Sequence, residues 1–380
     1  MRKSRLFTPG PTPLIPEAQL AMAMPMPHHR TAEFSKIMLN CRKNLQTIFK
    51  TNNELLILSS TGTGAMEAAV SNLHSPGEKV LVISAGKFGE RWIELAEAYN
   101  LDCKILKKPY GDYASAEEIL SFLQENPGIK SLFIQGCETS TGTSHDLEKI
   151  SRSVRGKFPD ILIIVDAITA IGCQEMKVDQ WDLDVVVSGS QKSFGIPPEL
   201  SFISLSKRAL EALDKNPGKN FYYLSLTREL QGQAQGSPAF TPSIALVMAL
   251  KTACSQILDY GLERTIEDAA QMARCTRSGL EALGFRILSK SPANATTAAF
   301  PPDGISAEEL KSCLDEWYGV KVAGGQGDVA EKIIRIAHLG YFDILDVFTI
   351  LSALELTLVR MGRNISAGTS AKAAMKELYS

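Results

Sequence analysis

Lys192 stands where an amine needs a reason. It follows an apolar run at 184–187 that breaks into Ser188, Gly189, Ser190 and Gln191. The run predicts a buried strand, and the small residues predict the turn that ends it. A lone lysine at a strand end ordinarily stretches its head group to water. A buried one needs a charge partner or a covalent role, and a Schiff base with a cofactor aldehyde is such a role. Asp166 supplies the complementary charge. It ends a second apolar run, 161–165, whose unbroken hydrophobicity suits a strand covered on both faces. A carboxylate at the C-terminal end of such a strand lies where open α/β sheets place their ligands. Taken alone, Asp166 would serve equally as a helix cap or turn residue. Taken together, the two residues fit opposite ends of pyridoxal 5'-phosphate: the lysine for the aldehyde, the aspartate for the protonated ring nitrogen that makes the ring an electron sink.

A third segment suits the phosphate. The strand-like run 55–58 leads into Ser59, Ser60, Thr61, Gly62, Thr63 and Gly64, then into a helix-like run from Ala65. Small residues let backbone N–H groups close around an anion, hydroxyls add donors, and a helix N-terminus adds a favourable dipole. The segment lacks the lysine of a P-loop and the glycine spacing of a dinucleotide fingerprint, which disfavours a nucleotide-binding dehydrogenase.

With these motifs in this order the chain resembles the class V, fold-type I pyridoxal phosphate aminotransferases, in particular the alanine–glyoxylate and serine–pyruvate group. The stretches that carry the resemblance are FTPGPTPLIPEAQLAM, HHRTAEF, STGTGAMEAAVSNLHSPGEKVLV, GKFGERW, ETSTGT, VDAITAIG, DVVVSGSQKSFGIPPELSFISLS, FTPSIALVMAL, AGGQGD and IIRIAHLGY. The resemblance implies a role for each matching residue. Lys192 is the Schiff-base lysine and proton carrier, and Asp166 pairs with the ring nitrogen. Thr61, Gly62, Thr63 and Gln191 hold the phosphate. Thr139 lies near the phenolic oxygen, Phe88 lies against the ring, and Thr241 reaches the cofactor of a neighbouring subunit. Arg335 grips the substrate carboxylate, and Gly10 lies beside the substrate. A homodimer with shared active sites follows from the Thr241 match.

Chemistry supports Arg335 independently. A guanidinium offers a planar, two-pronged fit to a carboxylate that lysine cannot copy. Arg335 also interrupts an apolar strand-like run, where a free charge is disfavoured, although an edge-strand arginine pointing to water would read alike. Two departures bear on substrate. Phe88 stands where some relatives carry tryptophan, so a hydrogen-bonding edge is lost. Pro238 stands about where some carry a tyrosine beside the substrate pocket.

The activity implied is transfer of an amino group from alanine or serine to glyoxylate or pyruvate by a ping-pong route. Pyridoxamine–pyruvate, ureidoglycine–glyoxylate and aminoethylphosphonate transamination are the alternatives on the same scaffold. A non-catalytic partner subunit that keeps the fold is the rival from another class.

Composition narrows the field. At 380 residues, 44% hydrophobic and 22% charged, the chain allows about two to three domains and describes an ordinary globular protein. A net charge of −2 gives no basis for a nucleic-acid footprint. The basic start, Met1 to Arg5, has no apolar region after it, and no apolar run reaches membrane-spanning length, so a cytoplasmic enzyme is expected. The seven cysteines are scattered, which suits reduced thiols. Cys137 precedes the Glu138-Thr139 segment and reads as a buried structural thiol in preference to a persulfide carrier. None of the five histidines has a partner at ligand spacing, so no metal site is expected.

Something must position these residues. Strands are predicted at 55–58, 80–84, 104–107, 131–135, 161–165, 184–188 and 201–205, with helices at 65–73, 88–99 and 116–125. The alternation predicts an α/β large domain built on a mainly parallel seven-stranded sheet. An extended N-terminal arm is expected over 1–20, the cofactor-binding large domain over 21–260 and a smaller C-terminal α+β domain over 261–380. In that last part the pattern gives helices at 262–283, 306–318 and 343–361, strands at 285–288 and 333–337, and a loosely held tail beyond Gly362.

Overall fold

The computed structural model describes residues 3–216 and 221–379, so Met1 and Arg2 of the basic start lie outside the described residues. Its strands are β1 (Arg5–Leu6), β2 (Glu54–Leu58), β3 (Lys79–Ser84), β4 (Asp102–Lys107), β5 (Ser131–Gln135), β6 (Cys137–Glu138), β7 (Thr143–Ser144) and β8 (Leu162–Asp166). They continue with β9 (Val185–Gly189), β10 (Ser201–Leu205), β11 (Arg286–Ile287), β12 (Thr296–Phe300), β13 (Val320–Lys321), β14 (Ala323–Gly324) and β15 (Ile334–Ala337). The helices of the first half are α1 (Pro16–Met22), α2 (Ala32–Phe49), α3 (Gly62–Leu73), α4 (Lys87–Ala98), α5 (Ala116–Glu125) and α6 (Leu147–Lys157). Those of the second half are α7 (Lys207–Lys215), α8 (Leu226–Gln233), α9 (Ile244–Tyr260), α10 (Leu262–Ala282), α11 (Ala307–Tyr318), α12 (Ile344–Arg360) and α13 (Thr369–Tyr379).

The expected central sheet is present, with seven strands in the order β2-β10-β9-β8-β5-β3-β4. Strands β4, β3, β5, β8 and β9 pair in parallel, and β10 runs against both of its neighbours. Because β2 and β9 both oppose β10, β2 points the same way as the parallel set. The central strands β5, β8, β9 and β10 are buried at every position, as strands covered on both faces must be, and even Ser204 within β10 is buried. The edge strand β4 is only part-buried and carries Lys104 and Lys107, charges that discourage pairing with another chain.

This direction of travel builds the site. The C-terminal ends of β2, β3, β5, β8 and β9 open at one edge of the sheet. The segments that follow those strands carry Thr61 to Thr63, Phe88, Thr139, Asp166, and Gln191 with Lys192. The chain order also reverses there: β3 has β4 on one side and β5 on the other. That is the topological switch point at which open α/β sheets form their crevice.

A second, antiparallel sheet, β11-β12-β15-β14, supplies Arg335 from β15. Its register sets Arg335 between Ala298 and Ala323, whose small side chains leave room for a long one. The N-terminal arm joins the two parts. Strand β1 pairs in parallel with β13, Phe7 is buried 5.6 Å from the Phe342 ring, and Ile15 N donates to Gly195 O at 2.8 Å. The extended course expected over 1–20 ends at Ile15, because Pro16 is suited to the first turn of α1.

The tail beyond Gly362 is ordered, contrary to expectation. Helix α13 packs on α10 with Ala374 fully buried. Glu355 on α12 receives Gly368 N at 2.6 Å, Ser370 N at 2.8 Å and Ser370 Oγ at 2.7 Å, which satisfies the start of α13 from outside. Burial raises the Glu355 pKa, yet the Ser370 and Gly368 hydrogen bonds outweigh it and leave the carboxylate below its ordinary value. Among the described residues no helix is long and apolar enough to cross a membrane.

Candidate active site

Lys192 and Arg335 are brought to one place from two different sheets. Lys192 is 9% exposed, and its Nζ donates to the carbonyl of Pro9 on the arm. The arm is fixed in turn by Thr12, whose Oγ1 donates to Lys192 O at 3.0 Å. Gly10 has a φ of 137°, and a Cβ on it would fall against the Lys192 side chain, so glycine is required there on two grounds. Burial first, and then the nearby Arg335 charge, bring the Lys192 pKa down to about 8 against the pull of Asp166.

Asp166 ends β8 with 3% exposure, and its Oδ1 accepts from Ile168 N at 2.9 Å. Burial, with a smaller push from Glu138, raises its pKa to about 7 against the Ile168 hydrogen bond and the charges of Arg91 and Lys192. A buried carboxylate held this close to neutrality favours a cationic N–H partner, which would restore its ordinary acidity.

Arg335 is 7% exposed; its Nε donates to Gly324 O at 2.8 Å and its Nη1 to Thr139 O at 3.1 Å. Its pKa falls to about 10 through burial, with Glu138 opposing. No carboxylate pairs with it among the described residues, so its planar head remains open to an external anion. Thr139 shares a 2.6 Å hydrogen bond with Thr169, which anchors the side chain whose backbone receives Arg335.

The phosphate-like cradle lies at the start of α3. Thr61 is the N-cap but makes no side-chain cap bond, which leaves the first N–H groups of the helix for another acceptor. A Cβ on Gly189 would come 2.9 Å from Gln191 Oε1 and 3.6 Å from Gly62 N, so Gln191 and the helix start face the same space. Gln191 Oε1 is buried with no hydrogen-bond partner among the described residues. The free helix N–H groups and hydroxyls supply donors that fit a phosphate, and the unpartnered Gln191 oxygen accepts nothing from the protein, so the amide is free to turn its NH2 group into the same space.

Glu138 and Arg91 were not marked by sequence reasoning. Glu138 is fully buried and caps α4, accepting from Phe88 N at 3.1 Å, Gly89 N at 2.9 Å and Ser140 Oγ at 2.5 Å. Burial raises its pKa against those hydrogen bonds. Nothing in ETSTGT says that its carboxylate would turn inward. Arg91 was within reach of inspection, because it lies three residues after Phe88 and so shares its helix face. Its guanidinium is 4.8 Å from the Phe88 ring centroid, and Nη1 donates to Thr63 Oγ1 at 3.2 Å. Thr241 is exposed and lines a groove with Ser59, Tyr223 and Phe240, beside the strand that leads into Thr61. Cys137 is 2% exposed with its pKa well raised by burial, and it starts the short strand β6, separate from β5.

The sequence profile of the Aminotransferase class-V family matches residues 18–340. The chain belongs to the class-V aminotransferases. Members of this fold family use pyridoxal phosphate. The aminotransferase chain is 36% identical to the "Soluble hydrogenase, small subunit" of Synechococcus sp. (strain PCC 6716), over 99% of this chain and 98% of that one. It is 30% identical to the serine–glyoxylate aminotransferase of Hyphomicrobium methylovorum, over 97% of this chain and 93% of the relative. Among solved structures, the subgroup IV aspartate aminotransferase of Thermus thermophilus superposes with a TM-score of 0.88 at 36% identity, covering 94% of this chain and 99% of that one.

Proposed function

We propose that this aminotransferase moves the amino group of a small amino acid, alanine or serine, to glyoxylate or pyruvate by a ping-pong route on pyridoxal phosphate. The observation that carries the reading is the meeting of a buried lysine of lowered pKa, a buried aspartate and a buried arginine with no carboxylate partner. Such a set is costly to keep buried unless ligands complete it. When bound, the cofactor supplies an electron sink for the substrate's α-carbon. Asp166 would hold the ring nitrogen, Phe88 would lie against the ring, and Thr139 would stand near the phenolic oxygen. Thr61, Gly62, Thr63 and Gln191 would hold the phosphate.

The protein residues do the rest. Arg335 docks the donor carboxylate and fixes which face of the α-carbon meets Lys192. Lys192 takes the α-proton on Nζ and returns it on the opposite leg, a task that suits an amine whose pKa lies near 8. Gly10 and the arm close over Lys192 and keep water from it. Thr241 is assigned to the neighbouring subunit's cofactor, in a homodimer with shared sites. Exposed Leu20, Met24, Met26, Tyr222 and Tyr223 are apolar surface available to that interface. The cytoplasm remains the proposed compartment.

Aspartate is a second donor reading, favoured by the 36% identity to the Thermus aspartate aminotransferase. A non-catalytic role beside another subunit, prompted by the hydrogenase-named relative, gives no reason to retain the three costly buried charges. The test is a transfer assay that pairs alanine, serine and aspartate with glyoxylate and pyruvate. The wild-type protein is expected to turn over at least one pair, and folded Lys192→Ala none. Turnover by that variant would remove Lys192 from the reaction, and no turnover of any pair by the wild type would favour the partner role.

A further inference from the structure

Arg91 lies between two residues that the proposed function sends to different ends of the cofactor. It sits on the first turns of α4, one turn beyond Phe88. Its guanidinium donates to Thr63 Oγ1 at 3.2 Å and lies 4.8 Å from the Phe88 ring centroid. No carboxylate pairs with it among the described residues, and its charge acts on both Asp166 and Lys192.

The hydrogen bond to Thr63 has a direction. A guanidinium can only donate, so the Thr63 oxygen is the acceptor and its own proton is left to donate elsewhere. No described residue takes that proton. Thr63 belongs to the first turn of α3, where the uncapped N–H groups already favour an anion. We infer that Arg91 is a positioning residue for the cofactor's phosphate: it turns the Thr63 hydroxyl into a fixed donor and adds positive charge behind it. The inference rests on the proposed cofactor and goes beyond the residues that would touch it. The contact with Phe88 gives the guanidinium a second anchor, so its aim at Thr63 does not depend on one hydrogen bond.

The test is equilibrium binding of pyridoxal phosphate and of pyridoxal, which lacks the phosphate, to cofactor-free protein. Arg91→Met is expected to weaken pyridoxal phosphate binding by about tenfold, the order of one hydrogen bond to a charged group, and to weaken pyridoxal binding, through Phe88 and the charge felt at Lys192 and Asp166, several-fold less. In a Thr63→Val background the same substitution is expected to cost much less, because the intermediary is gone. Arg91→Lys, which keeps the charge but not the fork, is expected to fall between wild type and Arg91→Met and serves if the methionine variant does not fold. Equal weakening of both ligands, or full additivity with Thr63→Val, would overturn the inference. If the wild type binds neither ligand, the proposed cofactor fails and the inference falls with it, an outcome distinct from wild-type binding that Arg91→Met leaves unchanged, which would overturn the role of Arg91 alone.

Discussion

Burial acts on Lys192 and Arg335 to different ends. An ammonium loses its proton readily when desolvated, whereas a guanidinium keeps its charge across the working range. Lys192, with its pKa brought down to about 8, is therefore a residue that can change protonation state, and Arg335 is one that holds still. In cofactor-free protein the Lys192 amine is expected to become reactive toward an acylating reagent as pH rises through about 8. Ordinary surface lysines would need about two units more. Peptide mapping across a pH series would read this, and a Lys192 profile matching the surface lysines would contradict it. Arg335→Lys keeps the charge but loses the planar fork. We expect the KM for the amino donor to rise by about tenfold or more, with kcat less affected; steady-state kinetics with an unchanged KM would remove Arg335 from donor binding.

At the scale of elements, what could be read from sequence followed from how strongly each segment declares its period. Most of the seven sheet strands stand out because their apolar runs are short, dense and end in small or charged residues, whereas β4 is broken by Lys104 and β10 by Ser204. Helix α5 is equally plain, with its Ser115 and Glu118 capping box. Strand β12 escaped because Thr296, Thr297, Ala298 and Ala299 are small or polar, and the segment is buried only by its neighbours. Helix α13 escaped for a related reason. Its buried face is small, and the group that satisfies its start, Glu355, lies on another helix. Glu355→Gln is accordingly expected to cost about 1–2 kcal/mol of stability, loosening α13 first. Denaturant unfolding together with hydrogen exchange over 369–379 would show it. Unchanged stability and protection would mean that packing on α10 alone holds the helix.

At the scale of the molecule, the site is a consequence of strand direction. Five co-directed strands deliver Thr63, Phe88, Thr139, Asp166 and Lys192 to one sheet edge, and a second sheet brings Arg335 to meet them. That convergence was legible from motif order because each motif follows a strand. The arm's place beside the site came from the resemblance alone, through Gly10; Glu138 beneath Phe88 and Arg91 behind Thr63 were not legible, since each depends on contacts between segments far apart in the chain. The most direct measurement of the whole account is the visible spectrum of the protein reconstituted with pyridoxal phosphate, taken before and after one amino donor and then one 2-oxo acid. We predict a band that alanine, serine or aspartate bleaches and that glyoxylate or pyruvate restores, and that Lys192→Ala fails to complete. A band that no amino acid alters, or none at all, would contradict amino-group transfer at Lys192.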